Sequence, residues 1–259
     1  FFSRDEGAFF QPAFELSNYA RFISPFFGKV LLTSLTFSAA AAIISVSVAV
    51  PFTYFVTRMR ARWQSVMLVF LLSVLSLSEV IIGFAWSTLL SKTAGIGNLL
   101  VAIGLMEISQ SFTPSLGALL LGLTYLGFPY AVLVLYPALS RLDPEIPEAA
   151  RMLGASPIRS FVNVVMPMMR NTITGALILV FVFTLGAYLL PQVLGRPQHW
   201  TLSVHITDQA IFQSNLPFAA AMAIFLMLVS LALVGISTLL GRARTELMLI
   251  LRYAFILVV

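Results

Sequence analysis

Residues 30–57 read VLLTSLTFSAAAAIISVSVAVPFTYFVT, a run without a charged side chain that lies between Lys29 and Arg58. A helix of about 20 apolar residues crosses the roughly 30 Å hydrocarbon core of a bilayer. The run is therefore long enough to span a membrane with some tilt. Its small side chains, at residues 39–42 and at Ser45 and Ser47, predict a face that approaches a neighbouring helix closely.

The composition of the whole chain agrees with a lipid environment. Hydrophobic residues make up 59% of the 259 residues and charged residues only 10%, and the mean hydropathy is +0.98. A soluble domain carries about 25% charged residues. The formal net charge of +5 does not indicate nucleic-acid binding, because the basic residues cluster in short loops. The lack of cysteine excludes disulfides and thiolate metal sites.

Four more apolar runs follow the first one. They cover residues 64–90, 114–139, 171–194 and 216–240, and only Glu79 interrupts the earliest of them. The sequence therefore predicts an all-α polytopic membrane helix bundle with five complete spans. Residues 91–113 hold two short apolar patches broken by glycines, which predicts a partly buried or interfacial excursion.

The loops between the runs differ in charge. Nine arginines fall in alternate loops, and the intervening loops hold only Lys92 and Arg196. Because cytoplasmic loops carry the excess of Lys and Arg, the arginine-rich loops are expected in the cytoplasm. These arginines are Arg58, Arg60, Arg62, Arg141, Arg151, Arg159, Arg170, Arg242 and Arg244.

This orientation predicts three regions. Residues 1–27 form an outer, periplasmic segment with short helices against the membrane surface. Residues 28–240 form the transmembrane domain, with a cytoplasmic elbow at about 141–170. Residues 241–259 form a cytoplasmic tail or an unassigned apolar segment, since that stretch is too short to cross and Arg252 interrupts it.

The elbow contains the polar stretch PEIPEAARMLGASPIRSFVNVVMP, residues 144–167. Pro147 suits a first helical position, and Gly154 suits the left-handed conformation that ends a helix. Ser156 and Pro157 then suit the N-cap and first residue of a second helix. A solvated connector is one interpretation, but a connector needs only a few residues, so two capped helices favour a surface for a partner.

Each of the two short helices also has an apolar face. In the first helix the face consists of Ala149, Met152 and Leu153. In the second helix a stripe recurs at i, i+3, i+4 and i+7, and it consists of Ile158, Phe161, Val162 and Val165.

The stretch EAARMLGASPIRSFVNVVMP, residues 148–167, resembles the signature of binding-protein-dependent ABC importer permeases. That signature is Glu-Ala-Ala, three residues, Gly, nine residues, then Ile-x-Leu-Pro. Val164 stands for Ile and Met166 for Leu, and both keep the apolar character. The surrounding segments FELSNYARFI, WSTLLSKTAGIGNLLVAIGL, LGFPYAVLVLYPALSRLDPEIPEAA and TLGAYLLPQVLGRPQ are also similar to this family, so the resemblance covers about residues 14–240.

The resemblance implies the type I ABC importer permease fold, a sixth span before residue 1, and a multi-pass place in the bacterial inner membrane. It also implies that the elbow is a coupling helix seated in a groove of a separate ATPase subunit. Ala149, Ala150 and Gly154 would form the close-approach surface, with Glu148 and Arg151 as polar anchors. The other coupling residues that the resemblance assigns are Leu153, Ala155, Pro157, Phe161 and Pro167.

The implied partners are an ATPase dimer, a second permease of different sequence, a periplasmic binding protein and the bilayer. ATP and Mg²⁺ would bind in the ATPase subunits, and this chain would bind no cofactor. Its own residues agree, because the chain has no G-x-x-x-x-G-K-[ST] motif and no nucleophile–base–acid arrangement. We therefore expect a transport subunit, not an enzyme. His199 and His205 share one outer loop and are expected to be surface or interface residues, not metal ligands.

Among the subfamilies, TLGAYLLPQVLGRPQHWTLSVHITDQAIFQSNLPFAAAMA is most similar to permeases of the spermidine/putrescine type. This resemblance implies a small organic cation or zwitterion, such as a polyamine, an opine or an aminophosphonate. Iron(III), thiamine, sulfate and molybdate importers are similar at a greater distance.

Glu79 is the one ionisable residue well inside a predicted span. A charge there costs about 2.5–3.5 kcal/mol on insertion scales and faces protein or a water-filled cavity. Helical spacing places Gly83 and Trp86 on the same face. We hypothesise that Glu79 and Trp86 line the path of a cationic substrate, with Tyr125, Tyr130 and Tyr188 as weaker candidates. The alternative is that Glu79 only hydrogen-bonds within the bundle.

Other classes of membrane protein fit the sequence less well. A secondary transporter needs no long cytoplasmic elbow. A channel would show a filter-like loop or rings of charge, and a membrane enzyme would cluster His, Glu or Asp within its spans. The secondary transporter is the alternative from a different class.

Overall fold

The run at residues 30–57 lies within helix α1 (Pro25–Thr57). Ser24 caps its start by accepting a hydrogen bond from the Phe27 backbone N–H, and Pro25 occupies the first turn. The small-residue face is confirmed at Ala41, Ala42 and Ser45, which are fully buried. It is wrong at Ser47, which is exposed, because two positions along a helix turn a side chain away from the contact face.

The structure is a computed structural model that describes residues 2–5, 8–12, 19, 24–93 and 95–236. Its contacts divide the chain into two units, one of residues 1–22 with 208–259 and one of residues 23–207. The second unit contains a helix bundle and both candidate functional regions. The tail at 241–259, with Arg242 and Arg244, lies outside the described residues.

The second predicted span is not one helix. It divides into α2 (Ala61–Leu75) and α3 (Glu79–Leu89), which meet at an angle of 97°. Ser78 is the N-cap of α3 and accepts a hydrogen bond from the Val80 N–H, so a new helix begins there. The expectation of a continuous helix over 64–90 is therefore wrong in the middle, where Ser76, Leu77 and Ser78 form the break.

The third predicted span is confirmed as α5 (Leu116–Ser140). The fourth divides into α8 (Arg170–Gly186) and α9 (Leu189–Leu194), with Ala187 in an extended conformation between them. Pro191 explains this break, because its ring nitrogen has no hydrogen with which to continue the helical ladder. The predicted single helix over 171–194 is wrong at this point.

Short helices complete the unit of residues 23–207. They are α4 (Ile96–Ala102) in the outer excursion, α6 (Glu145–Met152), α7 (Pro157–Met168) with a π-helical turn at Phe161–Val165, and α10 (Leu202–Thr207) after a 3₁₀ turn at Pro197–His199. In the other unit, a π-helical turn at Asp208–Phe212 precedes the apolar helix α11 (Leu216–Ile236).

Three of the described helices, α1, α5 and α11, are each long and apolar enough to cross a membrane. The number rises to five if the bent pairs α2–α3 and α7–α8 are each counted as one span. The helix bundle expected from the sequence is confirmed.

The N-terminal segment differs from its prediction. Residues 2–12, expected to be helical, contain an antiparallel hairpin of β1 (Phe2–Asp5) and β2 (Ala8–Pro12), with Ser3 opposite Gln11, whereas Tyr19 is helical. Residues 13–18 and 20–23 of the same segment lie outside the described residues.

The core of the bundle lies where α1, α5 and α8 meet. Ala49, Leu135 and Val180 are fully buried there. A Cβ on Gly127 would lie 2.5 Å from Val180 Cγ1 and 3.0 Å from Ser45 Oγ, so α5 needs glycine at this contact. Ser45 donates its hydroxyl hydrogen to the Thr124 carbonyl across the same interface, which satisfies a polar group without water.

The loops fall at two opposite ends of this bundle. At one end Tyr136 donates to Gln64 Oε1, and the ring of Tyr54 meets that of Phe161. The arginine-rich loops at 58–62 and 141–170 therefore share that end. At the other end Arg196 Nε donates to the Pro114 carbonyl, which joins two of the outer loops.

Candidate functional sites in the helix bundle

A cavity of about 560 Å³ opens between α2, α3, α5 and α8. Both helix breaks border it, which agrees with the rule that non-helical backbone at membrane depth is buried in protein or lines a cavity. Its lining is mostly apolar, and among the described residues that line it Glu79 is the only one with a carboxylate. The lining consists of Val74, Leu75, Leu77, Glu79, Ile82, Tyr125, Leu126, Pro129, Tyr130, Val182, Phe183, Gly186 and Ala187.

Glu79 is half-buried at the start of α3. Its Oε1 accepts hydrogen bonds from the backbone N–H groups of Leu189 and Leu190, each at 3.1 Å. The expected hydrogen bonding of Glu79 within the bundle is therefore confirmed, and the same residue lines the cavity. Gly83 sits one turn further along α3, and its Cβ position would lie 3.4 Å from Leu189 Cδ2.

Aromatic residues line the same cavity as Glu79. Tyr125 and Tyr130 both line the cavity. Trp86 meets Tyr125 edge-on with ring centroids 5.5 Å apart, and Phe183 meets Tyr130 at 4.2 Å. Rings of this kind attract a cation through their negative faces, so the cavity suits a group that is both cationic and partly apolar.

Two of the substrate-path candidates, Trp86 and Tyr188, are not part of the cavity lining. Trp86 lies against Tyr125, and Tyr188 lies elsewhere. It is the N-cap residue of α9, beside the break and next to the Leu189 that bonds Glu79. Phe183, Gly186 and the backbone amides of residues 189 and 190 are the parts of the site that the sequence did not indicate. Apolar side chains and main-chain amides have no local sequence pattern that marks them as part of a site.

The elbow is formed by α6 and α7. Glu148 lies in the first turn of α6, where a carboxylate complements the helix dipole. Gly154 adopts φ +90° after the helix, and Ser156 caps α7 by accepting from the Arg159 N–H. The predictions for Gly154 and Ser156 are confirmed. The predicted start is wrong by two residues, since α6 begins at Glu145 and not at Pro147.

The tip of the elbow is an exposed apolar patch. Met152 is 90% exposed, Leu153 91% and Ile158 75%. Charged residues surround these side chains, and among them Glu148 and Arg151 are exposed. Exposed apolar side chains rimmed by charge are typical of a surface that another protein covers.

The base of the elbow is packed against the bundle. Ser160 Oγ donates to the Pro147 carbonyl at 2.8 Å and joins α6 to α7. The ring of Phe161 meets that of Tyr54 on α1 with centroids 4.9 Å apart. Val165, one turn further on, is fully buried in the core. The predicted apolar stripe therefore has a buried end, while Ile158 and Val162 are exposed.

The coupling residues assigned by resemblance divide by exposure. Most of them face outward, as a docking surface requires, and three are half-buried. The exposed ones are Glu148, Ala149, Arg151, Leu153, Gly154, Pro157 and Pro167, and the half-buried ones are Ala150, Ala155 and Phe161.

The two histidines each meet an aromatic ring. His199 meets the ring of Phe37, and His205 that of Phe26. Burial lowers the pKa of His199, and the charge of Arg196 lowers it further. Among the described residues no group of three or more His, Cys, Asp or Glu side chains could hold a metal ion.

The sequence profile of one family, described as "Binding-protein-dependent transport system inner membrane component", matches residues 49–246. The chain belongs to this family. It is an inner-membrane permease subunit of an ABC importer and not an enzyme. Membership excludes the secondary transporter as an alternative.

This chain is similar to known permeases in sequence and in structure. The spermidine/putrescine transport system permease protein PotB of Salmonella typhimurium (strain SL1344) is 29% identical over 231 residues, which cover 88% of this chain and 80% of that protein. Among solved structures, a bacterial ABC transporter that imports the acidic polysaccharide alginate matches with a TM-score of 0.73 at 18% identity, covering 90% of this chain and 85% of that one.

A second solved structure is similar over a larger share of its own chain. The MetNI methionine ABC transporter matches with a TM-score of 0.63 at 14% identity, covering 85% of this chain and 99% of that chain. At such identities the two structures show the fold alone, which is that of the type I ABC importer permeases.

Proposed function

We propose that this permease subunit forms the path for a small organic cation or zwitterion in an ATP-driven importer. The substrate class is polyamine-like and includes opines and aminophosphonates with a free ammonium group. The observation that carries this proposal is the carboxylate of Glu79, placed in a cavity of about 560 Å³ beside the phenol rings of Tyr125 and Tyr130.

The chemistry of the cavity supports an ammonium ligand. A carboxylate at membrane depth is costly unless it meets a charge or water, and an alkylammonium would supply the charge. The rings of Tyr125 and Tyr130 would contact its methylene chain and attract its charge, and Trp86 would support Tyr125 from outside the cavity lining. The similarity to PotB, a spermidine/putrescine permease, favours the same class.

The elbow is proposed as the contact with the ATPase subunits, where ATP and Mg²⁺ would bind. Met152, Leu153 and Ile158 are apolar and at least three-quarters exposed, so a partner that covers them removes apolar surface from water. Phe161 would then carry the movement of the partner to α1 through Tyr54. Packed elements of this kind shift between discrete arrangements and do not deform continuously.

The remaining partners follow from the same proposal. A periplasmic binding protein would deliver the substrate to the end of the bundle at Pro114 and Arg196. A second permease of different sequence would complete the path. This chain itself would bind no cofactor.

Uptake of radiolabelled putrescine tests the substrate class. The assembled transporter is reconstituted with its binding protein in liposomes, and initial rates are compared for Glu79→Gln and Glu107→Gln. We expect Glu79→Gln to lower uptake at least tenfold while assembly is unchanged. Glu107 is an exposed outer carboxylate, so Glu107→Gln should transport normally. Unchanged kinetics for Glu79→Gln would refute the role of Glu79.

A pair of glycine substitutions tests the contact with the ATPase. Gly154 and Gly104 both have positive φ, +90° and +77°, and a Cβ on either meets no atom within 4 Å. The strain of adding a side chain is therefore matched, but Gly104 lies in the outer excursion. We expect Gly154→Leu to abolish both uptake and co-purification of the ATPase, and Gly104→Leu to retain both. Equal behaviour of the two variants would contradict the docking surface.

A further inference from the structure

Glu79 connects two parts of the bundle that are distant in sequence. Its Oε1 is held by the N–H groups of Leu189 and Leu190. In the part of the chain that the structure describes, no protein group donates to Oε2. The same carboxylate lines the cavity, so it is shared between the backbone of α9 and whatever enters the cavity.

The two amides depend on this carboxylate. The break at Ala187 removes the preceding helical turn, and with it the carbonyls that would accept from Leu189 and Leu190. Bonds from backbone N–H to a charged acceptor are among the strong ones, and a buried N–H that loses its partner is costly. The position of α9 is thus linked to the orientation of the Glu79 side chain.

We infer that an alkylammonium in the cavity competes with α9 for Glu79, so that cation binding releases the start of α9. An ammonium group offers three donors, and the carboxylate reaches it best when both oxygens turn into the cavity. That rotation withdraws Oε1 from Leu189 and Leu190. The inference rests on the proposed substrate class and adds to it a signal that reports occupancy of the cavity.

The contacts of α9 show which other parts of the protein a movement of this helix would affect. The carbonyl of Leu194, at the far end of α9, accepts from the Ser115 N–H that precedes α5. A Cβ on Gly122 would lie 2.5 Å from Leu194 Cδ1, so α9 is packed closely on α5. Next to this contact, Arg196 bonds the Pro114 carbonyl. Movement of α9 therefore reaches the outer loops at the end where substrate would enter.

Thiol labelling tests the release directly, because the chain has no cysteine of its own. Gln192→Cys places a half-buried reporter on α9, and Thr174→Cys places an exposed control on α8. The maleimide reaction rate is measured in the assembled transporter with and without millimolar putrescine. We expect putrescine to accelerate labelling of Gln192→Cys at least threefold and to leave Thr174→Cys unchanged.

Two variants separate the charge of Glu79 from its hydrogen bonds. In Glu79→Gln the amide oxygen still accepts from Leu189 and Leu190, so labelling should start at the normal rate and not respond to putrescine. In Glu79→Ala the bonds are lost, so labelling should be fast without putrescine. The Gln variant alone suffices if the Ala variant does not fold.

The outcomes distinguish this inference from the proposed function. Putrescine uptake that depends on Glu79, with a constant labelling rate at position 192, would leave the substrate class standing and overturn the release of α9. Faster labelling without uptake would support the release and refute putrescine as a transported substrate. No uptake together with no labelling response would refute both.

Discussion

Tyr54 and Phe161 meet ring to ring, with centroids 4.9 Å apart and planes inclined by 56°. Tyr54 lies in the last turn of α1, and Phe161 begins the π-helical turn of the elbow. The contact lies between the exposed patch of the elbow and the core that α1 shares with α5 and α8. It is therefore a place where motion of the elbow would enter the bundle.

Removal of this ring contact should uncouple ATP hydrolysis from transport. Phe161→Ala deletes an aromatic pair worth about 0.5–1.5 kcal/mol beyond its buried area. We expect severalfold more ATP hydrolysed per substrate in liposomes, with the ATPase still bound. Phe55→Ala is the control, since Phe55 is exposed on the same helix. If Phe161→Ala hydrolysed the normal amount of ATP per transported substrate, the movement of the elbow would have to reach the bundle through other contacts.

The hydrogen bond from Ser160 Oγ to the Pro147 carbonyl is expected to make the elbow rigid. Ser160→Ala leaves a buried carbonyl without its donor, at a cost of about 1 kcal/mol. Hydrogen exchange of the elbow peptide should become about fivefold faster. Ser140→Ala serves for comparison, because that exposed hydroxyl bonds only within its own helix. Equal exchange in both variants would contradict the prediction.

The elbow shows what local sequence can predict. Gly154 and Ser156 act through caps that involve neighbours within three residues, and such short-range chemistry is legible in sequence. Apolar helices also lie at the approximate places of the expected spans, because lipid requires long apolar runs. The bends were missed, since an apolar run has the same composition whether its helix continues or breaks.

The cavity shows what local sequence leaves out. Glu79 was recognised as a buried charge, but its partners Leu189 and Leu190 lie 110 and 111 positions away. They are main-chain groups in apolar residues, and only the fold brings them to the carboxylate. The pair Ser78-Glu79 did carry a usable signal, because a capping serine followed by an acidic residue favours a helix start.

Because α5 packs closely on α1 and α8, alanine substitutions at two glycines are expected to differ in their effect on stability. Gly127→Ala would place a methyl group 2.5 Å from Val180 Cγ1, and overpacking of this kind costs about 1–3 kcal/mol. Gly175→Ala meets no atom within 4 Å and should be neutral or stabilising. We expect the Tm of the purified complex to fall by several degrees only for Gly127→Ala. The second substitution Val180→Ala should recover part of that loss.

The outer turn at residues 196–199 should loosen in acid. Neutral His199 accepts at Nδ1 from the Arg196 N–H at 3.3 Å, and a protonated ring cannot accept there. Burial and the charge of Arg196 lower the pKa of His199 below its ordinary value of 6.5. The stabilisation is therefore complete above about pH 6.5 and is lost as the pH falls through the lowered pKa.

NMR of ¹³C-labelled histidine in nanodiscs measures this titration. We expect the His199 midpoint below 6.5 and faster hydrogen exchange of residues 196–199 on the acidic side of it. His199→Gln should make that exchange independent of pH, since an amide oxygen accepts in both conditions. His205→Gln is the control, because the Arg196 bond does not involve it. A midpoint above the ordinary value would mean that Arg196 and burial do not govern this ring.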